Sequence, residues 1–356
     1  MNTWGSNIKV SIFGESHGRG IGIVIDGLPG GIELDTEQIK REMQRRAPGR
    51  SSISTSRTEA DEVEILSGFF DGKTTGTPLA GIIRNTNTIS KHYDKDLIRP
   101  GHADYTGFTK YGPAHDYRGG GHFSGRITAP LVFAGAIAKQ LLNMHGICIG
   151  AHILRIKNIS DDSFDPIGVT EQQLREISGK DFPVIDDYKA DMMKNRIWEA
   201  KTEKDSVGGI VECAVLGMPA GKGSPFFGSV ESRLSSMLYS VPAVKAVLFG
   251  AGMDFAGMLG SEANDEFYTE NGVIKTYTNN NGGINGGISN GMPIIFKTVI
   301  KPTPSISKPQ RTVDISKNEN TEIEIHGRHD PCIVHRGAVV IENAAAIAIL
   351  DILFDK

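Results

Sequence analysis

Glycine is crowded into five stretches of this 356-residue chain. Residues 14–31, 101–125, 208–228, 250–260 and 282–291 hold 29 of its 43 glycines. Because glycine has no Cβ and tolerates positive φ, such stretches let the backbone come close to another surface. Glycine shows no three-residue period, which excludes a collagen helix, and 39% hydrophobic residues exclude a disordered chain. The sequence therefore predicts a globular protein with several close backbone approaches.

The charge and cysteine content narrow the class of protein. Lys and Arg number 38 against 42 Asp and Glu, and a formal net charge of −4 does not favour a nucleic-acid partner. Cys148, Cys213 and Cys332 are too far apart for a zinc site or a disulfide framework, so a reducing, cytoplasmic location is expected. The N-terminus lacks the apolar core of a signal peptide, and the longest apolar stretch, 127–138, is too short to span a bilayer. No membrane association is expected.

Hydrophobic periodicity predicts a mixture of helices and antiparallel strands. Residues 9–13 and 22–26 alternate like strands. Residues 128–145 are apolar on nearly all sides and predict a buried central helix capped by Thr128, and residues 342–354 predict a C-terminal helix. Helices and strands do not alternate strictly, so we predict an α+β fold forming a single domain over residues 1–356.

A basic run lies between residues 40 and 57. It contains six basic residues and one acidic residue, Glu42. They are Lys40, Arg41, Arg45, Arg46, Arg50 and Arg57. Arginine predominates, and its planar fork binds carboxylates and phosphates in a bidentate way. A solvated helix face and an anion-binding site both remain open at this point.

Two further segments mix His, Arg, Asp and Gly. Residues 99–126 show little periodicity, and so long an irregular stretch is usually functional. Within it, three consecutive glycines at 119–121 precede the predicted central helix and can present backbone N–H groups to an anion, although a simple turn with a helix cap is the alternative. Residues 327–332 repeat the same residue types.

The same residues allow three other kinds of function to be considered. A metal-dependent phosphohydrolase would use His102, Asp104 and His122, but no familiar metal-binding spacing supports it, and no metal is predicted. A P-loop motif does not occur. A flavin- or RNA-binding module without activity is a third hypothesis, since residues 118–120 form a single RGG element.

The ordered set of motifs resembles the chorismate synthase family. The matching segments run from residue 14 nearly to residue 336. They are residues 14–18 (GESHG), 45–46 (RR), 99–104 (RPGHAD), 117–121 (YRGGG), 205–208 (DSVG), 218–221 (MPAG), 243–245 (AVK), 282–291 (GGINGGISNG), 301–303 (KPT) and 327–332 (GRHDPC). Together these motifs are far more specific than any single glycine motif.

The resemblance implies a reaction and an architecture. Family members convert 5-enolpyruvylshikimate 3-phosphate to chorismate and phosphate by a 1,4-anti elimination, the last step of the shikimate pathway, and need reduced FMN. The implied fold is a sandwich of helices between antiparallel β-sheets, and the implied assembly is a homotetramer. Some members reduce their own FMN with NADPH. No nicotinamide site is recognisable in this sequence, so an external flavin reductant is expected.

The resemblance also implies roles for particular residues. His17 and Ser16 are expected at the departing phosphate, His102 near the flavin, and Asp330 at flavin N5, with Ser124 as a further catalytic residue. The residues expected to bind substrate anions are Arg45, Arg46, Arg50, Arg99, Arg126 and Arg328. Those expected to contact the flavin are His122, Phe123, Ser124, Pro242, Ala243, Gly286, Lys301, Pro302, Thr303, Pro304, Ser305 and Arg328.

Overall fold

The computed structural model describes residues 1–49, 61–87, 93–325, 327 and 329–355. Within these residues the helices are α1 (Thr36–Arg46), α2 (Asp104–Tyr111), α3 (Thr128–Met144), α4 (Glu171–Ser178), α5 (Asp187–Thr202), α6 (Val230–Leu238), α7 (Gly260–Ala263) and α8 (Val334–Leu353). The strands are β1 (Thr3–Trp4), β2 (Lys9–Gly14), β3 (Gly20–Asp26), β4 (Val63–Ser67), β5 (Phe69–Phe70), β6 (Lys73–Thr74), β7 (Leu79–Arg84), β8 (Cys148–Ile156), β9 (Ile159–Ser160), β10 (Gly209–Leu216), β11 (Val244–Phe249), β12 (Phe267–Glu270), β13 (Val273–Thr276), β14 (Ile284–Asn285), β15 (Ile288–Ser289), β16 (Ile294–Ile300), β17 (Gln310–Asp314) and β18 (Glu319–Ile323).

Two five-stranded antiparallel sheets form the outer layers. The first has the strand order β1-β2-β3-β7-β4, and the second has the order β11-β16-β10-β8-β9. In the second sheet Cys213 of β10 lies opposite Phe296 and Ala151. These three residues are buried, as expected for the face of a sheet that is covered by helices.

The helices lie between the two sheets. α3 packs against α8 and α1 on one side and against β3 and β7 of the first sheet on the other. α8 packs against β8 and β10 of the second sheet and against α6. The apolar core is therefore shared by both sheets and the central helices, with members from Ile8 to Ile352. This arrangement confirms the predicted α+β fold.

Helix α3 matches its prediction in position and burial. Its N-cap is Ile127 rather than Thr128, and the Thr128 hydroxyl instead donates to Gly125 O at 2.6 Å. Gly135 lets α3 approach α8, because an added Cβ would lie 2.4 Å from Asn343 Cβ. By length and apolar composition, one stretch of the described chain, Gly125–Met144, could cross a membrane, and 83% of its most apolar window is buried inside the protein.

Two helices differ from the sequence prediction and lie near the predicted site residues. α8 begins at Val334 rather than at residue 342, because a polar first turn precedes its apolar run. α2 lies inside the stretch that was expected to be irregular. These differences add regular structure next to Asp330 and to His102.

Candidate active site

A tight loop between β2 and β3 carries Ser16. The backbone N–H of Ser16 donates to Gly121 O at 3.0 Å. Asn85, which follows β7, holds both ends of the loop by donating from Nδ2 to Glu15 O at 3.0 Å and to Gly18 O at 2.9 Å. Ser16 is buried, and its Oγ has no hydrogen-bond partner among the described residues. Because an unpaired buried hydroxyl costs free energy, this oxygen is a candidate hydrogen-bonding group for a ligand.

The three glycines at 119–121 pack against His17. Gly119 has a φ of +63°, and an added Cβ would lie 2.5 Å from His17 Nε2 and 3.0 Å from Ser16 Oγ. On its other side, the His17 ring meets the ring of Tyr93 edge to face, with centroids 5.3 Å apart. The sequence therefore needs glycine at 119 for two reasons, its positive φ and the space that the imidazole fills.

Arg46 and Arg126 share one buried carboxylate, that of Asp61. Each guanidinium donates from Nη1 to a different oxygen of this side chain. Burial raises the pKa of Asp61, but the charges of Arg46 and Arg126 outweigh burial and lower it below its ordinary value. Arg46 also donates to Thr128 Oγ1 at 3.3 Å, and Arg126 donates to Asn85 Oδ1 at 3.1 Å. Asn85 thus links this ion cluster to the Ser16 loop.

Arg45 pairs with two carboxylates inside the protein, Glu42 and Glu342. Its guanidinium donates to both oxygens of Glu342 at 2.9 Å and also to Glu42, and Lys139 bonds the same two carboxylates. Burial raises the pKa of Glu42, but Lys139 and Arg45 lower it to about 2. Arg45 therefore helps to join α1, α3 and α8, and its expected contact with substrate stays a prediction.

His102 is half-buried beside Ser305. Its Nε2 lies 2.7 Å from Ser305 Oγ. Burial, followed by the positive charge of Arg99, lowers the pKa of His102 to about 3. Arg99 itself forms a bidentate pair with Asp104, with two bonds of 2.7 Å, and its guanidinium lies 5.1 Å from the centre of the Tyr93 ring. The fork of Arg99, expected to bind substrate, is thus engaged within the protein.

Lys301 brings several of the expected flavin residues together. Its Nζ donates to Gly101 O at 2.6 Å, and its backbone N–H donates to Ala243 O at 2.9 Å. Ala243 has a φ of +75°, a conformation that costs energy for a residue with a side chain. Pro304 lies so close to Gly101 that an added Cβ there would lie 2.9 Å from Pro304 Cβ. Pro242, Pro302 and Thr303 adjoin these residues in the chain.

The remaining expected flavin contacts are distributed between two places. His122 Nδ1 lies 2.8 Å from Gly14 O, and Phe123 is 40% exposed. Ser124 Oγ accepts from Arg126 N at 3.3 Å, so it caps the turn before α3. Gly286 is in the β14–β15 turn, which packs against Ser229 through the neighbouring Gly287. The flavin role of each of these residues stays a prediction.

Asp330 is connected to Arg46 through a residue that the sequence analysis did not single out, Arg336. The Arg336 guanidinium donates from Nη1 to Asp330 Oδ2 at 2.8 Å and from Nε to Arg46 O at 2.9 Å. The first turn of α8 therefore brings the 327–332 segment next to the basic end of α1. Three residues from the sequence analysis, Arg50, Arg57 and Arg328, lie outside the described residues.

The comparisons with known proteins agree with this arrangement. A model of the chorismate synthase family matches residues 8–354. The chain belongs to the chorismate synthase family. Among its relatives are chorismate synthases from Methanocella arvoryzae, 47% identical over 98% of this chain and 93% of the relative, and from Methanobrevibacter smithii, 47% identical over 98% and 95%. A solved chorismate synthase structure matches with a TM-score of 0.75 at 27% identity, covering 98% of this chain and 92% of that one.

Membership in the chorismate synthase family makes this chain a carbon–oxygen lyase. The residues proposed for a metal-dependent phosphohydrolase have other partners here: Ser305 for His102, Arg99 for Asp104 and Gly14 O for His122. In the described part of the chain, no group of three or more His, Cys, Asp or Glu side chains could hold a metal ion. This geometry gives the metal hypothesis no support.

Sequence reasoning missed several residues of this chorismate synthase family site. Asp61, Asn85 and Tyr93 are single polar residues in polar surroundings, and no spacing rule distinguishes them. Arg336 did carry a signal, because an arginine beside an apolar helix needs an acidic partner, and Asp330 lies six residues before it.

Proposed function

We propose that this lyase converts 5-enolpyruvylshikimate 3-phosphate to chorismate and phosphate by 1,4-anti elimination, the last step of the shikimate pathway. One observation carries the proposal: Arg46 and Arg126 meet at the carboxylate of Asp61, and Asn85 links this cluster to the Ser16 loop. In a chain of net charge −4, two arginines held together beside this loop support binding of a substrate with two carboxylates and a phosphate.

The residues of the Ser16 loop supply donors to the leaving group. When the bond between carbon and phosphate oxygen breaks, the electron pair goes to the phosphate, and negative charge grows on that group. Fixed donors aimed at developing charge stabilise the transition state. Ser16 Oγ is buried and unpartnered among the described residues, and the imidazole of His17 is held in place by Gly119 and Tyr93. We assign Ser16 and His17 to the departing phosphate.

The residues around Lys301 fit reduced FMN. Burial lowers the pKa of Lys301 by disfavouring its ammonium form, so an anionic partner would stabilise that form. His102, whose pKa is lowered to about 3 chiefly by burial, is close enough to feel the charge of Lys301. Ala243 has a positive φ, and strained backbone of this kind is concentrated at ligand sites. When bound, reduced FMN would supply an electron-rich group that takes the C6 proton. We assign Asp330, which Arg336 holds, as the partner of flavin N5.

Assembly, location and reductant belong to the same proposal. We infer a cytoplasmic homotetramer that receives its reduced flavin from an external reductant, as the family resemblance implies. The pair Phe226 and Phe227 supports assembly, because these side chains are 84% and 97% exposed in the single subunit.

An anaerobic assay tests the reaction and the role of His17. With enzymatically reduced FMN, the protein should release phosphate from 5-enolpyruvylshikimate 3-phosphate, whereas NADPH with oxidised FMN should not support turnover. His17→Ala should lower kcat by about a hundredfold or more, while His145→Ala, at the end of α3, should leave it unchanged. Absence of phosphate release with reduced FMN would contradict the proposed reaction, and an unchanged kcat in His17→Ala would contradict only the role of His17.

A further inference from the structure

A cavity of about 820 Å³ is lined in part by Arg336, the residue that also bonds Asp330. It is bounded by α1, by the loop that follows α4, by α5 and by the first turn of α8. A volume of this size is typical of sites that enclose small molecules. Among the described residues that line it, Arg45 was expected to bind substrate and Arg336 holds Asp330.

The described lining of this cavity is rich in basic side chains. It contains five Lys and Arg side chains and one acidic residue: Arg41, Arg45, Lys180, Lys194, Arg336 and Asp181. Three of the five pair closely with carboxylates outside the lining: Arg45 with Glu342, Lys180 with Asp187 and Arg336 with Asp330. Arg41 and Lys194 make only long, exposed pairs with Asp35 at 3.5 Å and Asp191 at 3.4 Å. Exposed pairs of this kind are weak, so both cations can turn to an anion in the cavity.

Flat rings form the other part of the wall. Phe182 and His335 stack with centroids 6.3 Å apart and planes inclined by 18°. Lys194 Nζ lies 5.5 Å from the centre of the Phe182 ring, and Trp198 lines the cavity with 53% of its surface exposed. Burial lowers the pKa of His335 to about 4, so its ring is a neutral surface. Cations beside aromatic faces favour a ligand that combines an anion with a flat ring.

Arg336 connects the cavity with the residues assigned to the reaction. It lines the cavity and also bonds Asp330 and Arg46 O. Burial lowers the pKa of Arg336 to about 10, and the Arg46 and Arg126 charges act in the same direction against Asp330 and Asp61. An anion in the cavity would be attracted by this guanidinium, which also bonds Asp330.

We propose that this cavity is a second anion site, separate from the reaction site, and that it binds a small molecule carrying a phosphate or a carboxylate on a flat ring. The chain contains two tryptophans, Trp4 and Trp198. Trp4 lies on β1 and donates to Ser236 Oγ at 3.0 Å, away from the cavity. Trp4→Phe therefore makes Trp198 the only tryptophan and a direct reporter of the cavity.

The test titrates Trp4→Phe protein, in its intact assembly, with phenyl phosphate, benzoate and inorganic phosphate while Trp198 emission is recorded. We expect a saturable change with phenyl phosphate or benzoate, and binding at least about fivefold tighter than that of inorganic phosphate. Added Arg41→Gln and Lys194→Gln should weaken binding about tenfold. The matched pair Lys40→Gln and Lys189→Gln removes the same charge from the same helices outside the cavity lining, and it should leave binding unchanged.

A further variant separates this site from the reaction site. Arg126→Gln in the same background should leave the Trp198 response intact even where phosphate release is lost, so the two proposals can fail independently. Three results would overturn the second site. The first is the absence of a saturable response, and the second is an equal affinity for inorganic phosphate, which would indicate an adventitious ion only. The third is that the Lys40 and Lys189 variants weaken binding as much as the Arg41 and Lys194 variants.

Discussion

At the scale of single residues, Gly119 is constrained both by its own backbone and by the His17 ring. Alanine there would place Cβ 2.5 Å from His17 Nε2 and would force a side chain into a φ of +63°. Since a shift of about 1 Å in a catalytic group can cost about a hundredfold in rate, Gly119→Ala should lower kcat by that order. Steady-state assays with reduced FMN measure the effect. Gly125→Ala is the matched control, because an added Cβ there has nothing within 4 Å; an equal loss in both variants would contradict the assignment.

Asp61 makes a prediction about pH. Its folded-state pKa is depressed by Arg46 and Arg126 despite burial, so its contribution to stability is present above its unfolded pKa and is lost as pH falls through the folded value. Unfolding by urea should therefore show a loss of stability below about pH 4. In Asp61→Asn this part of the acid dependence should disappear, and stability at neutral pH should fall by about 3 kcal/mol, because two buried guanidiniums lose their charge partner.

The exposed Asp162 provides the comparison for Asp61. Asp162→Asn should keep both the stability at neutral pH and the acid limb of the parent protein, since surface substitutions usually change stability by less than about 0.5 kcal/mol. A parent-like acid limb in Asp61→Asn would show that other carboxylates control it.

At the scale of helices, the neighbouring arginines Arg45 and Arg46 of α1 pair with carboxylates in different parts of the protein. Successive residues on an α-helix point about 100° apart, so Arg45 and Arg46 cannot face the same partner. Arg46 faces Asp61 and Thr128, whereas Arg45 faces Glu342 of α8. Arg45→Gln should lower the free energy of unfolding by about 3 kcal/mol, because Glu342 is fully buried. Its KM should change much less than that of Arg126→Gln. A change in KM as large as that of Arg126→Gln would assign Arg45 to the substrate site.

The same contrast shows what the sequence can predict about the elements. α3 was predicted well because it is apolar on every side, and a buried helix leaves that pattern whatever its neighbours are. The first turn of α8 was missed because His335 and Arg336 are polar, and their partners Phe182 and Asp330 come from other parts of the chain. Motifs predict candidate site residues, but the pairing of Arg46 and Arg126 through Asp61 depends on long-range contacts that no local pattern records.

At the scale of the whole molecule, Phe226 and Phe227 make a prediction about assembly. Both rings lie at the surface, and Phe226 has a φ of +60°, which is strained for a bulky residue. Strain of this kind persists where a surface is used, and burying a phenylalanine contributes about 2 kcal/mol. Serine at both positions should therefore weaken assembly by a hundredfold or more, as loss of about 4 kcal/mol implies.

Light scattering coupled to size-exclusion chromatography measures this change in mass during dilution. Tyr188→Ser removes a single ring that is 71% exposed on α5 and is the matched control, since it stands without a strained backbone. The double variant should dissociate at concentrations where the parent and Tyr188→Ser stay assembled, with unchanged far-ultraviolet circular dichroism. A parent protein that is monomeric, or a double variant whose mass equals that of the parent at every concentration, would contradict the proposal that these rings form a subunit contact.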